Sequence, residues 1–218
     1  MPRKTKPSIK DTWIKALQSP KTRDKILIGS FITVIILASL PVFFQFIERR
    51  EGIVLNDWVL ARIPAYNVSV PIFAIIWGMA LLILYRALYN PLIYIRYSWT
   101  LIFVNIARMI SITLTSLNPP KNMQNLIDPI TGIFYGHATI TKDLFFSGHT
   151  ATLVLIFLCL EKRTDKIAGF FAILIVMVLL LVQHIHYTVD VLAAPIFVFI
   201  IYHLTGYVLK LHIPAKTA

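Results

Sequence analysis

The sequence predicts an all-α, polytopic membrane protein: a six-transmembrane-helix bundle with an N-terminal interfacial amphipathic helix. Three observations lead there. Of the 218 residues, 57% are hydrophobic and only 14% are charged, a balance that soluble domains of this size do not show. The apolar residues gather into six runs of about 17–22 residues each, the length a helix needs to cross a bilayer. None of the runs alternates apolar and polar side chains as a barrel strand would, and backbone at membrane depth must satisfy its own hydrogen bonds, so the runs read as helices.

Residues 1–25 hold eight Lys and Arg against Asp11 and Asp24. The stretch is too polar for a cleavable signal peptide, because the apolar core starts only at Ile26. Ser8-Ile9-Lys10-Asp11 resembles a capping box, and Ile9, Trp13 and Leu17 recur every four residues with lysines between them. That pattern predicts an amphipathic helix on the inner leaflet, the alternative being a disordered basic tail. Residues 26–218 then form one domain, with spans expected at Ile26–Ile47, Pro71–Tyr89, Ser98–Leu117, Leu144–Leu160, Ile167–Gln183 and Val189–Leu209. No internal repeat of the inverted-repeat transporter kind is visible. Cys159 is the only cysteine and sits inside a span, so it makes no internal disulfide.

The net charge of +11 is unevenly spread. With the N-terminus inside, the inner segments carry about fifteen of the 21 Lys and Arg and the outer ones about five, with Arg108 inside a span. This places both termini on the cytoplasmic side. The basic residues flank membrane spans rather than form a soluble surface, which argues against nucleic-acid binding. Threading six spans from an inside start brings the start of the fourth and the end of the fifth to the same, outer face. His149 and His186 lie at those two points. The fourth and fifth spans are also the shortest, near 17 residues or roughly 25 Å of helix, which predicts a site recessed below the outer surface.

Ionisable groups at membrane depth are costly, so a cluster of them marks a functional site by default. Two segments carry such groups, Asp143-Leu-Phe-Phe-Ser147-Gly148-His149-Thr150 and His186-Tyr187-Thr-Val-Asp190. His186 and Asp190 stand at i and i+4, one above the other on a helical face. A carboxylate holding one ring N–H leaves the other nitrogen free as base or nucleophile, while the bland alternative is a buried hydrogen bond that only ties down the helix. Gly148 allows close backbone approach to an anion, and Ser147 is suited to cap the helix that follows. Arg108 lies deep in the third span, where a guanidinium suits bidentate phosphate binding or pairs with a neighbouring carboxylate; Arg96 reads as snorkelling to the inner interface. Asp143 is a candidate for binding substrate or orienting His149. The roughly 30-residue connection from Asn118 to Ser147, holding Asp128, His137 and Lys142, is long for a compact bundle and is placed to cap the pocket. A metal site built from His149, His184, His186 and Asp190 is the competing use, but the spacing matches no specific zinc signature, so no metal or other cofactor is expected.

The two segments resemble the type-2 phosphatidic acid phosphatase superfamily, and more closely its sphingomyelin synthase branch. That branch carries Asp-x-x-x-Ser-Gly-His-Thr and His-Tyr-Thr-x-Asp-Val, both intact here. Arg96, Arg108 and Thr115 ahead of Pro119 also match it, with Asn105 where Tyr is usual, and His184-Ile185-His186 is similar to its His-x-His. Leu179 and Leu180 stand where ordinary phosphatases have Ser-Arg, their Lys-x(6)-Arg-Pro signature is absent, and Thr141-Lys142 replaces a Cys-Gly. The resemblance implies catalysis by His149, His186 and Asp190, with Asp143, Ser147, Gly148, Arg108, His184 and Tyr187 binding substrate. It further implies a glycerophospholipid donor and a lipid alcohol acceptor, ceramide or diacylglycerol. Water in place of that alcohol would make the chain a hydrolase of the same fold. A proton- or metal-coupled transporter is the reading from another class.

Overall fold

The computed structural model describes residues 8–126 and 140–211. Asp128 and His137 lie outside the described residues. Among the described residues seven α-helices follow one another: α1 (Ile9–Gln18), α2 (Pro20–Glu48), α3 (Ser69–Tyr89), α4 (Pro91–Leu114), α5 (Gly148–Cys159), α6 (Arg163–Val182) and α7 (Thr188–Val208). A single 3-10 turn at Leu60–Arg62 sits in the connection from α2 to α3.

Local chemistry sets where the helices begin. Pro20 and Pro91 each occupy a first helical position, where a missing N–H costs nothing. Asn90 completes the start of α4 by accepting the Leu92 N–H at 3.0 Å. Both helices therefore begin before their apolar runs do, and α2 continues unbroken across residue 25. The capping box expected at Ser8 does not form: the Ser8 side chain makes no cap, and the Thr12 hydroxyl instead donates to the Ser8 carbonyl at 3.0 Å. The helix itself is present, with no buried residue, and is fastened by the Trp13 indole, which donates to Leu88 O at 2.8 Å.

Among the described residues, five helices are long and apolar enough to cross a membrane: α2, α3, α4, α6 and α7. The expected fourth span, Leu144–Leu160, is helical only over the 12 residues of α5. At 1.5 Å per residue that is about 18 Å, well short of a hydrocarbon core about 30 Å thick. Its first residues are drawn out of helical conformation by α4: Arg108 Nε donates to Phe146 O at 3.2 Å and the Ser111 hydroxyl to Phe145 O at 2.7 Å. The apolarity of α5 has a different cause from that of its neighbours. Leu153, Leu155 and Ile156 are fully buried, packed within a cluster that also holds Ile83 of α3, Val176 of α6 and Val198 of α7. The longer helices instead expose large apolar side chains, such as Phe31, Val34, Leu81 and Phe171, as helices facing lipid do.

The bundle has two unlike ends. At one, Arg86 of α3 grips Asp165 of α6 through two bonds of 2.6 and 3.0 Å, Lys25 Nζ donates to Leu209 O at 2.7 Å, and Arg96 donates to the Tyr202 hydroxyl at 2.9 Å. At the other, the connection from α2 to α3 meets the chain leaving α4 in a parallel bridge, Ile53 with Leu117. Gly52 permits that approach, since a Cβ there would lie 2.6 Å from the Leu117 carbonyl carbon. The starts of α5 and α7 and the end of α6 all come to this second end.

Asp165→Ala leaves the Arg86 guanidinium without its carboxylate. Because Arg86 keeps 21% of its side-chain exposure, water takes over part of the lost contact, and the unfolding midpoint should fall by only a few degrees. A thermal unfolding scan in detergent checks this; an unchanged midpoint would show that the pair contributes nothing.

Candidate active site

The site is built where three chain segments meet at the second end of the bundle: residues 140–149, the turn from α6 to α7, and the part of α4 bearing Arg108. Ser147 starts α5 by accepting the Thr150 N–H at 3.3 Å, and its own N–H donates to Asp190 O at 3.1 Å. That second bond ties the beginning of α5 directly to the first turn of α7.

The turn before α7 reverses direction at His184, whose φ of +53° lies in the left-handed region that a side chain rarely adopts. Gln183, fully buried, holds the turn to α3 by accepting the Val68 N–H at 3.1 Å and donating to Ser69 Oγ at 2.7 Å. The reversal delivers His186 to the helix start, and the four-residue spacing brings its Nδ1 to 3.6 Å from Asp190 Oδ2. The same carboxylate oxygen accepts the Tyr187 N–H at 3.1 Å. His149, in the first turn of α5, faces His186 with ring centroids 5.8 Å apart and planes at 62°. Phe73 of α3 meets the His149 ring edge-on, centroids 6.0 Å apart.

His186 is 1% exposed and Asp190 fully buried, yet among the described residues neither ring nitrogen of His186 nor Asp190 Oδ1 has a hydrogen-bond partner. Buried polar atoms in folded proteins are almost always paired, so these three are exceptions that require a reason. A site held ready for a polar reacting group supplies one, because catalytic hydrogen bonds commonly tighten only around substrate.

Arg108 is 7% exposed and forms an ion pair with Asp143 while donating to Phe146 O. Its guanidinium lies flat against Gly148: a Cβ on that glycine would sit 2.6 Å from Arg108 Cζ. The room that Gly148 provides is thus taken by the guanidinium. Arg108, Asp143, Ser147 and Gly148 therefore form one continuous wall leading to His149.

Two of the residues singled out from the sequence point elsewhere. The His184 ring is held between Lys121 O (Nδ1, 3.1 Å) and Ile63 O (Nε2, 2.9 Å), and the Tyr187 hydroxyl accepts the Leu55 N–H at 3.1 Å and donates to Asn118 O at 2.9 Å. Both side chains fasten loops. Both also line a cavity of about 510 Å³ together with Asp57, Asn56, Lys121 and Asn122, and neither His149 nor His186 reaches it. Among the described residues, no group of three or more His, Cys, Asp or Glu side chains is poised to hold a metal.

Residues 142–207 match the family model described as PAP2 superfamily C-terminal. The match supports kinship with the type-2 phosphatidic acid phosphatase superfamily. It covers under half of the chain, but it takes in His149, His186, Asp190, Asp143, Ser147 and Gly148; Arg108 comes from outside it. PAP2 kinship suggests a lipid phosphatase or phosphotransferase type of function and does not single out the sphingomyelin synthase branch. A search of curated proteins finds no match.

Two carboxylates that the motifs did not point to border this PAP2 segment. Glu48, at the end of α2, accepts the N–H groups of Thr141 and Lys142 at 2.6 and 2.7 Å and the Thr141 hydroxyl at 2.9 Å. Asp57, in the connection after α2, accepts the Thr188 N–H at 2.6 Å. The only sequence signal for Asp57 is the turn-forming pair Asn56-Asp57; nothing local marks Glu48.

Gly148→Ala drives a methyl group into the Arg108 guanidinium and displaces it from the wall. Headgroup-transfer or phosphatase activity should fall about 100-fold, the scale on which a displacement near 1 Å acts, with the protein still monodisperse in detergent. Wild-type activity in this variant would show that Arg108 need not stay where it is.

Proposed function

We propose that the chain is an integral-membrane lipid phosphotransferase that moves a phospho-headgroup from a glycerophospholipid to a lipid alcohol, in the manner of sphingomyelin or ceramide phosphoethanolamine synthases. The observation that carries this reading is the pair of imidazoles 5.8 Å apart, one of them backed by a carboxylate at 3.6 Å. Such a couple spans one phosphoryl group, with a nucleophile on one side and a proton carrier on the other.

His186 Nε2 attacks the phosphorus while Asp190 steadies the ring through Nδ1. The bond from phosphorus to the diacylglycerol oxygen breaks, its electron pair stays on that oxygen, and protonated His149 supplies the proton. A phosphohistidine results. The acceptor alcohol then loses its proton to His149 and attacks the phosphorus, and the P–N bond breaks to restore His186. Arg108, exchanging part of its contact with Asp143 for phosphate oxygens, together with the N–H groups opening α5, offsets the charge that builds on the phosphoryl oxygens.

Dryness supports a lipid alcohol over water as acceptor. His186 is 1% exposed, and Phe73 and Phe146 beside the site are at 6% and 0%. Charge supports the orientation. Lys25, Arg86, Arg96, Lys162, Arg163 and Lys166 gather at the end of the bundle away from the histidines, so the positive-inside rule sets that end, with both termini, in the cytoplasm. The site then opens to the exoplasmic, periplasmic or lumenal side. On the cytoplasmic side α1 would lie along the inner leaflet, with Ile9, Ile14 and Leu17 exposed for lipid and Lys10 and Lys15 for headgroups.

Purified protein in detergent micelles, given labelled phosphatidylcholine or phosphatidylethanolamine with ceramide or diacylglycerol, should yield a new phospholipid detectable by mass. His149→Ala, His186→Ala and Asp190→Asn should each cut the yield at least about 1000-fold while the protein stays folded. Release of water-soluble phosphocholine or phosphate without a new lipid would replace the transferase with a hydrolase. Full activity in His186→Ala would remove the nucleophile.

A further inference from the structure

α7 opens with a deficit that its own sequence repairs only in part. The first N–H groups of a helix need acceptors from outside it, usually a Ser, Thr, Asp or Asn at the N-cap. Here the N-cap is Tyr187, whose hydroxyl is committed to Leu55 and Asn118; Asp190, three residues on, takes the Tyr187 N–H in half of a capping box and leaves the Thr188 N–H unmet from within the helix. The acceptor comes instead from 131 residues earlier in the chain: Asp57 Oδ2 accepts the Thr188 N–H at 2.6 Å. Asp57 Oδ1 accepts the Thr188 hydroxyl at 3.0 Å and, within its own loop, the N–H groups of Val59 at 3.0 Å and Leu60 at 3.2 Å. One carboxylate thus closes both a loop turn and a helix start. Burial pushes its pKa up, but the bonds from Thr188, Leu60 and Val59 outweigh burial and hold it below the usual 3.8, so it is ionised at neutral pH and complements the positive end of the helix.

The capped residue has a telling position. Thr188 lies between His186 and Asp190, and the turn it occupies is the one that sets their 3.6 Å separation. Asp190 Oδ2 is itself held by the Tyr187 N–H, one residue before the cap. Neither His186 ring nitrogen nor Asp190 Oδ1 has a partner that would restore the geometry if the turn loosened.

Building on the phosphotransfer reading, we propose that Asp57 is a positioning residue: it supplies the acceptor that α7 itself lacks for the Thr188 N–H and thereby keeps His186 and Asp190 in register across the first helical turn. Its carboxylate bonds neither the His186 ring nor Asp190. Removing it frees the Thr188 N–H and hydroxyl, the turn frays, and the carboxylate no longer steadies the attacking imidazole. The loss falls on the chemical step, because Arg108, the side chain assigned to holding phosphate, is fastened by Asp143 and Phe146 O rather than by α7.

The test uses the full chain in detergent, as wild type, Asp57→Ala, Asp57→Asn, Thr188→Val and the double variant Asp57→Ala/Thr188→Val. Kinetics of lipid headgroup transfer are read alongside amide hydrogen exchange over residues 186–192 and the unfolding midpoint. Asp57→Ala should lower kcat about 30- to 100-fold with KM for the donor within about twofold, and speed exchange at Thr188 and Val189. Asp57→Asn retains a carbonyl acceptor for the Thr188 N–H and should recover about tenfold of the lost kcat. The double variant should be no worse than Asp57→Ala alone. A kcat loss that Asn does not relieve, a loss carried by KM, or unchanged exchange in the first turn of α7 would each overturn the role. If Asp57→Ala fails to fold, the Asn and Thr188→Val variants carry the same comparison. Hydrogen exchange needs no substrate, so a wild type inert toward every phospholipid would overturn the proposed reaction while leaving the cap itself to be judged by exchange.

Discussion

A guanidinium inside an apolar bundle must be met by oxygen, and the way Arg108 is met organises this end of the protein. At 7% exposure it has no bulk water to turn to, so Asp143 and the Phe146 carbonyl are drawn to it. A carbonyl captured by a side chain is unavailable to a helical ladder, so the chain from Asp143 to Phe146 stays outside the helix. That sets the start of α5 at Gly148 and brings His149 into its first turn. It also requires a residue without a Cβ at the point of closest approach, which Gly148 meets. Four residues of the Asp-x-x-x-Ser-Gly-His-Thr motif are thus parts of one electrostatic solution, of which Ser147 contributes the helix cap.

The other motif answers a different constraint. His186 and Asp190 are buried with polar atoms left unpaired, a cost a folded protein rarely carries without return. The cost is tolerable because the surrounding structure over-determines their placement. Gln183 locks the turn to α3, the His184 ring bridges two loops, the Tyr187 hydroxyl bridges two more backbone groups, and Asp57 caps the helix. The polar side chains near the imidazoles are therefore divided between a few that face the reacting space and many that hold the scaffold rigid around it. A rigid, dry pair of imidazoles is what the proposed in-line phosphoryl transfer asks of the protein.

Much of this was legible in the chain. The apolar runs located five long helices, and counting spans from the basic N-terminus brought His149 and His186 to one end. The i, i+4 spacing of His186 and Asp190 translated directly into proximity, because one helical turn is a local property. That the run Leu144–Leu160 yields a shorter, buried helix has a general cause: hydropathy cannot tell whether an apolar side chain faces lipid or protein. Leu153 and Leu155 meet other helices, whereas Phe31 and Leu81 face outward, and all four look alike in a hydropathy window. Helix starts were misjudged where a proline and its cap preceded the apolar run, as at Asn90-Pro91. The roles of His184 and Tyr187 as fasteners, and of Glu48 and Asp57 as acceptors, depend on partners 63 to 132 residues away, which no local pattern encodes.

The carboxylates Glu48 and Asp57 reveal how the two motif segments are coordinated. Both come from the end of α2 and the connection that follows it, outside the segment that matches the PAP2 model. Glu48 receives the backbone of Thr141 and Lys142, just before Asp143; Asp57 receives the backbone of Thr188, just after His186. One short stretch of chain therefore holds one side of the site through Asp143 and the other through the start of α7, while the Ser147 N–H to Asp190 carbonyl bond joins the two sides directly. The geometry of the imidazole pair rests on a connection that contributes no side chain to it. This division follows from the physics of unpaired backbone: the Thr188 N–H at the start of α7 and the N–H groups of Thr141 and Lys142 ahead of α5 must find acceptors, and Asp57 and Glu48 meet that need while fixing the segments that carry the two motifs.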